Sequence, residues 1–183
     1  SPYKTLPEFI NATKKNPGKI KVGHAGVGSF TYTTGAALMK EQNAKAVFVP
    51  VGKRRLPSLL AGEVDAISVH PPELMASVRA GKVRMLAIST PVKMAAYPDV
   101  PTFKSLGMGL GFYQFRGVFV PKGTPKSVIK KLSNAYKAAS TDKKLKAAAL
   151  KKGFGINFIP YNKFPKYVAG QDALLRKAMA GLK

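Results

Sequence analysis

Apolar residues recur at Leu6, Phe9 and Ile10, with polar residues between and after them, up to the break Asn16-Pro17-Gly18. That spacing predicts a helix. Thr5-Leu6-Pro7-Glu8 has the Thr-x-x-Glu spacing of a capping box, and Pro7 sits early, where a missing N–H costs nothing. The pattern then switches. Residues 19–23 predict a short strand, and residues 29–42 a helix that packs through Ala36, Ala37, Leu38 and Met39. "AKAVFVPV" (44–51) predicts a second strand, apolar enough to be buried on both faces. A short basic turn and helix ends near Gly62, and "VDAISVH" (64–70) predicts a third strand. Pro71 opens the next helix and Gly81 lies past its end; "KVRMLAIST" (82–90) predicts a fourth strand.

Strands alternating with helices at this spacing imply an α/β fold with a mostly parallel sheet and crossover helices. The stretch after Thr90 breaks the rhythm with prolines and late glycines, and predicts a boundary between residues 1–110 and 111–183. Beyond it, the pattern predicts a strand over 112–121 and a helix with Val128, Ile129, Leu132, Ala135 and Tyr136 on one side. A second helix carries Leu145, Ala148 and Ala149. A strand over 155–160 and a last helix holding Phe164, Tyr167, Val168, Leu174, Leu175 and Met179 complete the chain. There is no internal repeat and no low-complexity tract.

Composition narrows the classes. The 183 residues are 45% hydrophobic, enough for a real core, and no apolar run reaches the roughly 18–20 residues of a membrane-spanning helix. The N-terminus shows no secretory pattern and "SPYKTLPEF" reads as mid-protein sequence, so a processed or partial chain is expected. The absence of cysteine excludes disulfides and thiolate metal sites. A net charge of +23, from 31 Lys+Arg against 8 Asp+Glu, favours anionic partners: nucleic acid, acidic lipid or carboxylate solutes. Residues 122–183 hold 15 of the cations and 2 of the acids, mostly on polar faces of predicted helices, as a solvated surface also would.

One stretch carries chemistry. In "GKIKVGHAGVGSFTYTTGAALMKEQN", a strand runs into Gly23, Gly26 and Gly28, and the loop opens directly into a helix. The spacing is neither that of a phosphate loop, which needs Gly-Lys-Ser/Thr, nor that of the dinucleotide fingerprint. The physics still favours an anion. Glycines let a ligand approach main-chain N–H groups, and the helix start leaves such groups unpaired with partial positive charge. Ser29 caps the helix or donates to the ligand, and Thr31 and Thr33 add hydroxyls. A plain tight turn with Ser29 as an ordinary cap uses the same groups.

The two histidines, His24 and His70, fall at the C-terminal ends of predicted parallel strands, where open α/β sheets bind ligands. Glu73 follows His70 by three residues. The imidazoles serve as ligand contacts, as loop residues bonded to backbone or water, or, with Glu73, as metal ligands; no His-x-x-x-His spacing supports the last. Asp65, inside a strand, is expected to be structural, meeting a backbone N–H or a nearby cation. No Ser-His-Asp set or carboxylate pair argues for catalysis.

The order of the pieces "PYKTLPEFINATKKNPGKIKVGHAGVGS", "VPVGKRRLPSLLAGEVDAISV", "VRAGKVRMLAIST", "YPDVPTFKSLG" and "GVFVPKGTPKSVIKKL" resembles the solute-binding receptors of tripartite tricarboxylate transporters, the Bug-type periplasmic receptors. The likeness spans nearly the whole chain. It implies a two-lobed type II periplasmic-binding fold that closes on a small carboxylate, with residues 1–110 as the second lobe and 111–183 as the C-terminal part of the first. It implies a ligand site of His24, Ala25, Gly26, Val27, Gly28, Ser29, Thr31, Val51, Gly52 and His70, with no cofactor, no metal and no catalytic residue. It further implies a periplasmic location and membrane transporter subunits as partners.

The sequence departs from the family in three places. The family's N-terminal portion, with its Gly-Gly-x-x-Asp-type loop, has no match here, so exposed apolar surface in 111–183 or pairing with a second copy is expected. Tyr32 stands where the family often has histidine, and Val51-Gly52-Lys53-Arg54-Arg55 is shorter and more basic than the usual loop. Two other functions compete: a basic nucleic-acid binder, for which no recognition motif is present, and the effector-binding domain of a transcription regulator.

Overall fold

The structure is a computed structural model, and it describes residues 1–111 and 114–180. Helix α1 (Leu6–Lys15) begins where the capping pattern places it. The Thr5 hydroxyl accepts the Glu8 N–H at 3.3 Å, while the Glu8 carboxylate reaches back to the Lys4 N–H at 2.8 Å, one residue before the cap. Leu6, Phe9 and Ile10 are buried, as the spacing requires.

Three strands form the sheet: β1 (Lys21–His24), β2 (Val47–Pro50) and β3 (Ala66–Ile67), in the order β2-β1-β3 and all parallel. Helix α2 (Phe30–Glu41) connects β1 to β2; a 3-10 turn (Gly52–Arg54) and α3 (Arg55–Leu60) connect β2 to β3. Helix α4 (Pro71–Arg79) follows β3. The strand expected over 64–70 is only Ala66–Ile67, and Asp65 lies just before it: its carboxylate accepts the Lys21 N–H at 2.8 Å, while its own N–H donates to the Lys21 carbonyl at 2.9 Å.

Most of the core lies in this first part. Leu6, Phe9 and Ile10 of α1 meet Ile20 and Val22, Leu38 and Met39 of α2, and Phe103 and Met108 of the later loop. Two details differ from expectation. β2 is an edge strand with Val47 40% exposed, so it is not buried on both faces. The fourth strand, 82–90, does not form. Only Ile88 bridges to Thr102, with the Ile88 N–H donating to the Pro101 carbonyl at 2.9 Å. Apolar side chains of this run still pack inward, Leu86 and Ala87 on the main core and Met85 on a satellite around Ile88 and Tyr97. Burial is met by side chains, and no neighbouring strand is present to complete a ladder.

The C-terminal part is helical: α5 (Lys126–Thr141), α6 (Lys143–Lys151) and α7 (Phe164–Met179). The strands anticipated within 112–121 and 155–160 are absent among the described residues; Phe112 and Tyr113 lie outside them. A β-prone run that is not laid along a strand edge makes no ladder. The apolar side of α5 is open, with Val128, Leu132 and Tyr136 40–50% exposed, and no residue of α5 or α6 is buried. Helix α7 returns to the first part, where Ala178 packs on Ala37 of α2 and the Lys40 ammonium donates to the Ala180 carbonyl. At its start Phe164 gathers Phe115, Phe119 and Tyr167.

Candidate functional site

The loop between β1 and α2 stands at the C-terminal end of the central strand. Gly26 and Gly28 adopt positive φ (148° and 77°), which is the reason for glycine at both. An added Cβ at either would meet nothing within 4 Å, so the loop has open space beside it.

Its amides divide into two sets. Ala25 N–H donates to the Thr31 hydroxyl at 3.0 Å, Gly26 N–H to His24 Nδ1 at 3.1 Å, and Ser29 N–H to the Gly26 carbonyl at 3.1 Å. The N–H groups of Val27 and Gly28 have no partner among the described residues, and Val27 is 81% exposed. These two are the donors that remain for an incoming acceptor.

Ser29 is the N-cap of α2 and accepts the Tyr32 N–H at 3.1 Å; it also lies 3.0 Å from the Thr31 hydroxyl. Either hydroxyl can supply the proton of that contact; when Thr31 does, both Ser29 lone pairs are used and its O–H is left to donate. Cap and donor roles are therefore compatible in one side chain. Thr31 and Thr33 are buried, and the Thr31 hydroxyl braces the loop from inside.

His24 does the same from below. It is fully buried, with its ring 5.0 Å from Tyr32 and 6.1 Å from Phe48, and it offers no exposed surface to a solute. Accepting the Gly26 N–H requires an unprotonated Nδ1, which places the ring proton on Nε2; Nε2 is buried without a hydrogen-bond partner.

The second loop is joined to the first. Val51 N–H donates to the His24 carbonyl at 3.1 Å, and Gly52 takes φ 59° with open space at its Cβ position. His70 stands three residues past β3 at the N-cap position of α4; its ring stacks on Phe30, the residue after Ser29, at 5.9 Å and 26°. Burial lowers its pKa below the ordinary histidine value; Glu73 opposes this, and Arg55 and Arg116 add to it. Phe30, Thr31, Ser68, His70 and Arg116 all face one concavity. At about 2690 Å³ it is several times an ordinary small-ligand pocket of roughly 300–1,000 Å³, and so an open wall rather than a closed site.

One residue behind this wall was not separated from its neighbours by the sequence. Arg55 is buried, unlike its exposed neighbours Lys53 and Arg54. Its guanidinium donates to the Gly52 carbonyl and, at 2.5 Å, to Glu73. No local pattern separates Arg55 from the other cations of "GKRR"; only the packing of α3 against β1 and β3 does.

A parallel α/β sheet with an amide-presenting loop at its strand ends has the build of a small-solute-binding domain. The chain belongs to the family described as the tripartite tricarboxylate transporter family receptor, which it matches over residues 1–176. It is 33% identical over 141 residues to a UPF0065 protein in the gbd 5′ region of Cupriavidus necator, covering 76% of this chain and 43% of that protein. A crystal structure of a TctC solute-binding protein from Polaromonas superposes with TM-score 0.84 at 26% identity, over 98% of this chain and 62% of the other. MatC from Rhodopseudomonas palustris, solved with bound malate, superposes with TM-score 0.76 at 24% identity, over 97% of this chain and 62% of the other. The fold is thus that of these periplasmic binding proteins. The chain spans about two fifths of the length of the curated relative and three fifths of the solved ones.

Proposed function

We propose that this chain is the ligand-gripping part of a periplasmic receptor that binds small carboxylic acids and hands them to a tripartite tricarboxylate-type membrane transporter. Residues 1–110 serve as the second lobe, and residues 111–183 as the part of the chain that returns to the first. The observation that carries the reading is the pair of N–H groups on Val27 and Gly28 with no partner among the described residues, beside the Ser29 hydroxyl and at the start of α2. A carboxylate there meets three donors and the positive end of a helix, worth roughly 0.3–1 kcal/mol from the dipole alone. Family membership and the malate held by MatC favour an organic acid as the solute. Ala25, Gly26, His24 and Thr31 shape the loop, while Val51, Gly52 and His70 border it. Neither catalysis nor sequence-specific nucleic-acid binding is part of this role.

A thermal-shift panel of malate, other di- and tricarboxylates and arginine as a cationic control tests it. An acid at 100 times its Kd stabilises by about 2.7 kcal/mol, and arginine leaves the melt unchanged. Native mass spectrometry of the same sample reports any carried-through acid and any second copy seated on the open face of α5. A panel in which no acid shifts the melt, or in which Gly28→Asp leaves the shifts intact, overturns the proposal.

A further inference from the structure

Three side chains from two segments lie together behind the Gly52 turn. Arg55 opens α3, Glu73 lies in the first turn of α4, and His70 immediately precedes α4. The Arg55 side chain is only 11% exposed, yet it carries a full charge, and it donates to both the Gly52 carbonyl and the Glu73 carboxylate. Its Nε–H is buried with no partner, so the guanidinium is held in place by two of its nitrogens alone. The chain has only 8 acids, and Glu73 is the one placed beside His70 on the concave wall. Left uncancelled, it would repel any carboxylate reaching the 26–29 loop. Resting on the receptor reading above, we propose that Arg55 is a positioning residue for anion binding. Its guanidinium fixes the Gly52 turn and cancels the Glu73 charge beside His70.

The competing role is a plain staple between α3 and α4. The two separate by charge. Arg55→Met leaves Glu73 uncancelled and weakens malate binding about tenfold, the effect of one extra charge several ångströms away. The double variant Arg55→Met/Glu73→Gln recovers most of that loss if charge is the cause, and none if the lost staple is. Glu73→Gln alone, nearly isosteric and partly exposed, tightens malate binding severalfold.

A second readout does not depend on any solute. The chain has only two histidines, so the assigned imidazole resonances of His70 are followed directly by NMR. The charged groups acting on His70 are Glu73, Arg55 and, on the facing segment, Arg116. Its pKa moves up in Arg55→Met and down in Glu73→Gln. If Arg55→Met fails to fold, Glu73→Gln still decides the matter through both readouts. An unmoved His70 titration in Glu73→Gln, or an unrescued double variant, overturns the proposal. Titrations that move as stated in a chain that binds no acid overturn the receptor reading and leave the charge cancellation standing.

Discussion

Replacement of Ser29 separates two roles that share one oxygen. Ser29→Ala removes the acceptor for the Tyr32 N–H at 3.1 Å and the partner of the Thr31 hydroxyl at 3.0 Å. Loss of an N-cap costs about 1 kcal/mol, within a range of roughly 0.5–2. For a chain of 183 residues that lowers Tm by about 2–4 °C. Thr31 still accepts from Ala25, so the inner brace of the loop persists. If the spare Ser29 proton serves a carboxylate, the same variant also loses a hydrogen bond to a charged group, about 1.5–3 kcal/mol, or roughly ten- to hundredfold in Kd. Ser29→Asp breaks the tie. Its carboxylate keeps a capping oxygen and suits the positive end of α2, so the melt holds or rises. It has no proton to give and repels an anion, so malate binding is lost. Circular-dichroism melts and calorimetric titration with malate, at one pH and salt, measure both quantities. Native malate affinity in Ser29→Asp, beside a lowered melt in Ser29→Ala, would refute the donor role and leave Ser29 a cap only.

Three further outcomes follow from the geometry. Gly28→Ala meets open space but must hold φ 77°, so it destabilises by about 1–2 kcal/mol; Gly28→Asn, which tolerates that backbone, loses less in the same urea titration. Gly35→Ala places a Cβ 2.9 Å from Phe48 Cε1, and the displaced ring disturbs its edge contact with Tyr32 at 5.6 Å. A cost of about 1–3 kcal/mol is expected, and an unchanged unfolding midpoint would show that Phe48 moves freely. His70 has a folded pKa below its ordinary 6.5, so the unfolded chain takes up the proton first. Its contribution to stability is fully present above that value and is lost as pH falls through the lowered folded value. His70→Gln therefore flattens the decline in Tm on acidification, and parallel curves for the two chains would contradict the assignment.

What the linear chain determined is local. The Thr5–Glu8 cap, the Leu6/Phe9/Ile10 face and the strand–glycine–helix passage into Ser29 were legible, because each depends on neighbours a few residues away. That Asp65 would be structural was legible too, with a backbone N–H as one of its two expected partners. Three things were decided only by tertiary structure. The β-prone runs at 82–90 and 155–160 have the composition of strands but are not laid along the edges of the sheet, and a ladder is a property of two segments. His24 looks like a ligand contact by position; burial between Tyr32 and Phe48 makes it a brace for Gly26. Arg55 looks like one of three surface cations, yet the packing of α3 buries it against Glu73, a residue 18 positions away. Charge pairing and burial are set by which segments meet in space, and no local pattern in the sequence records that meeting.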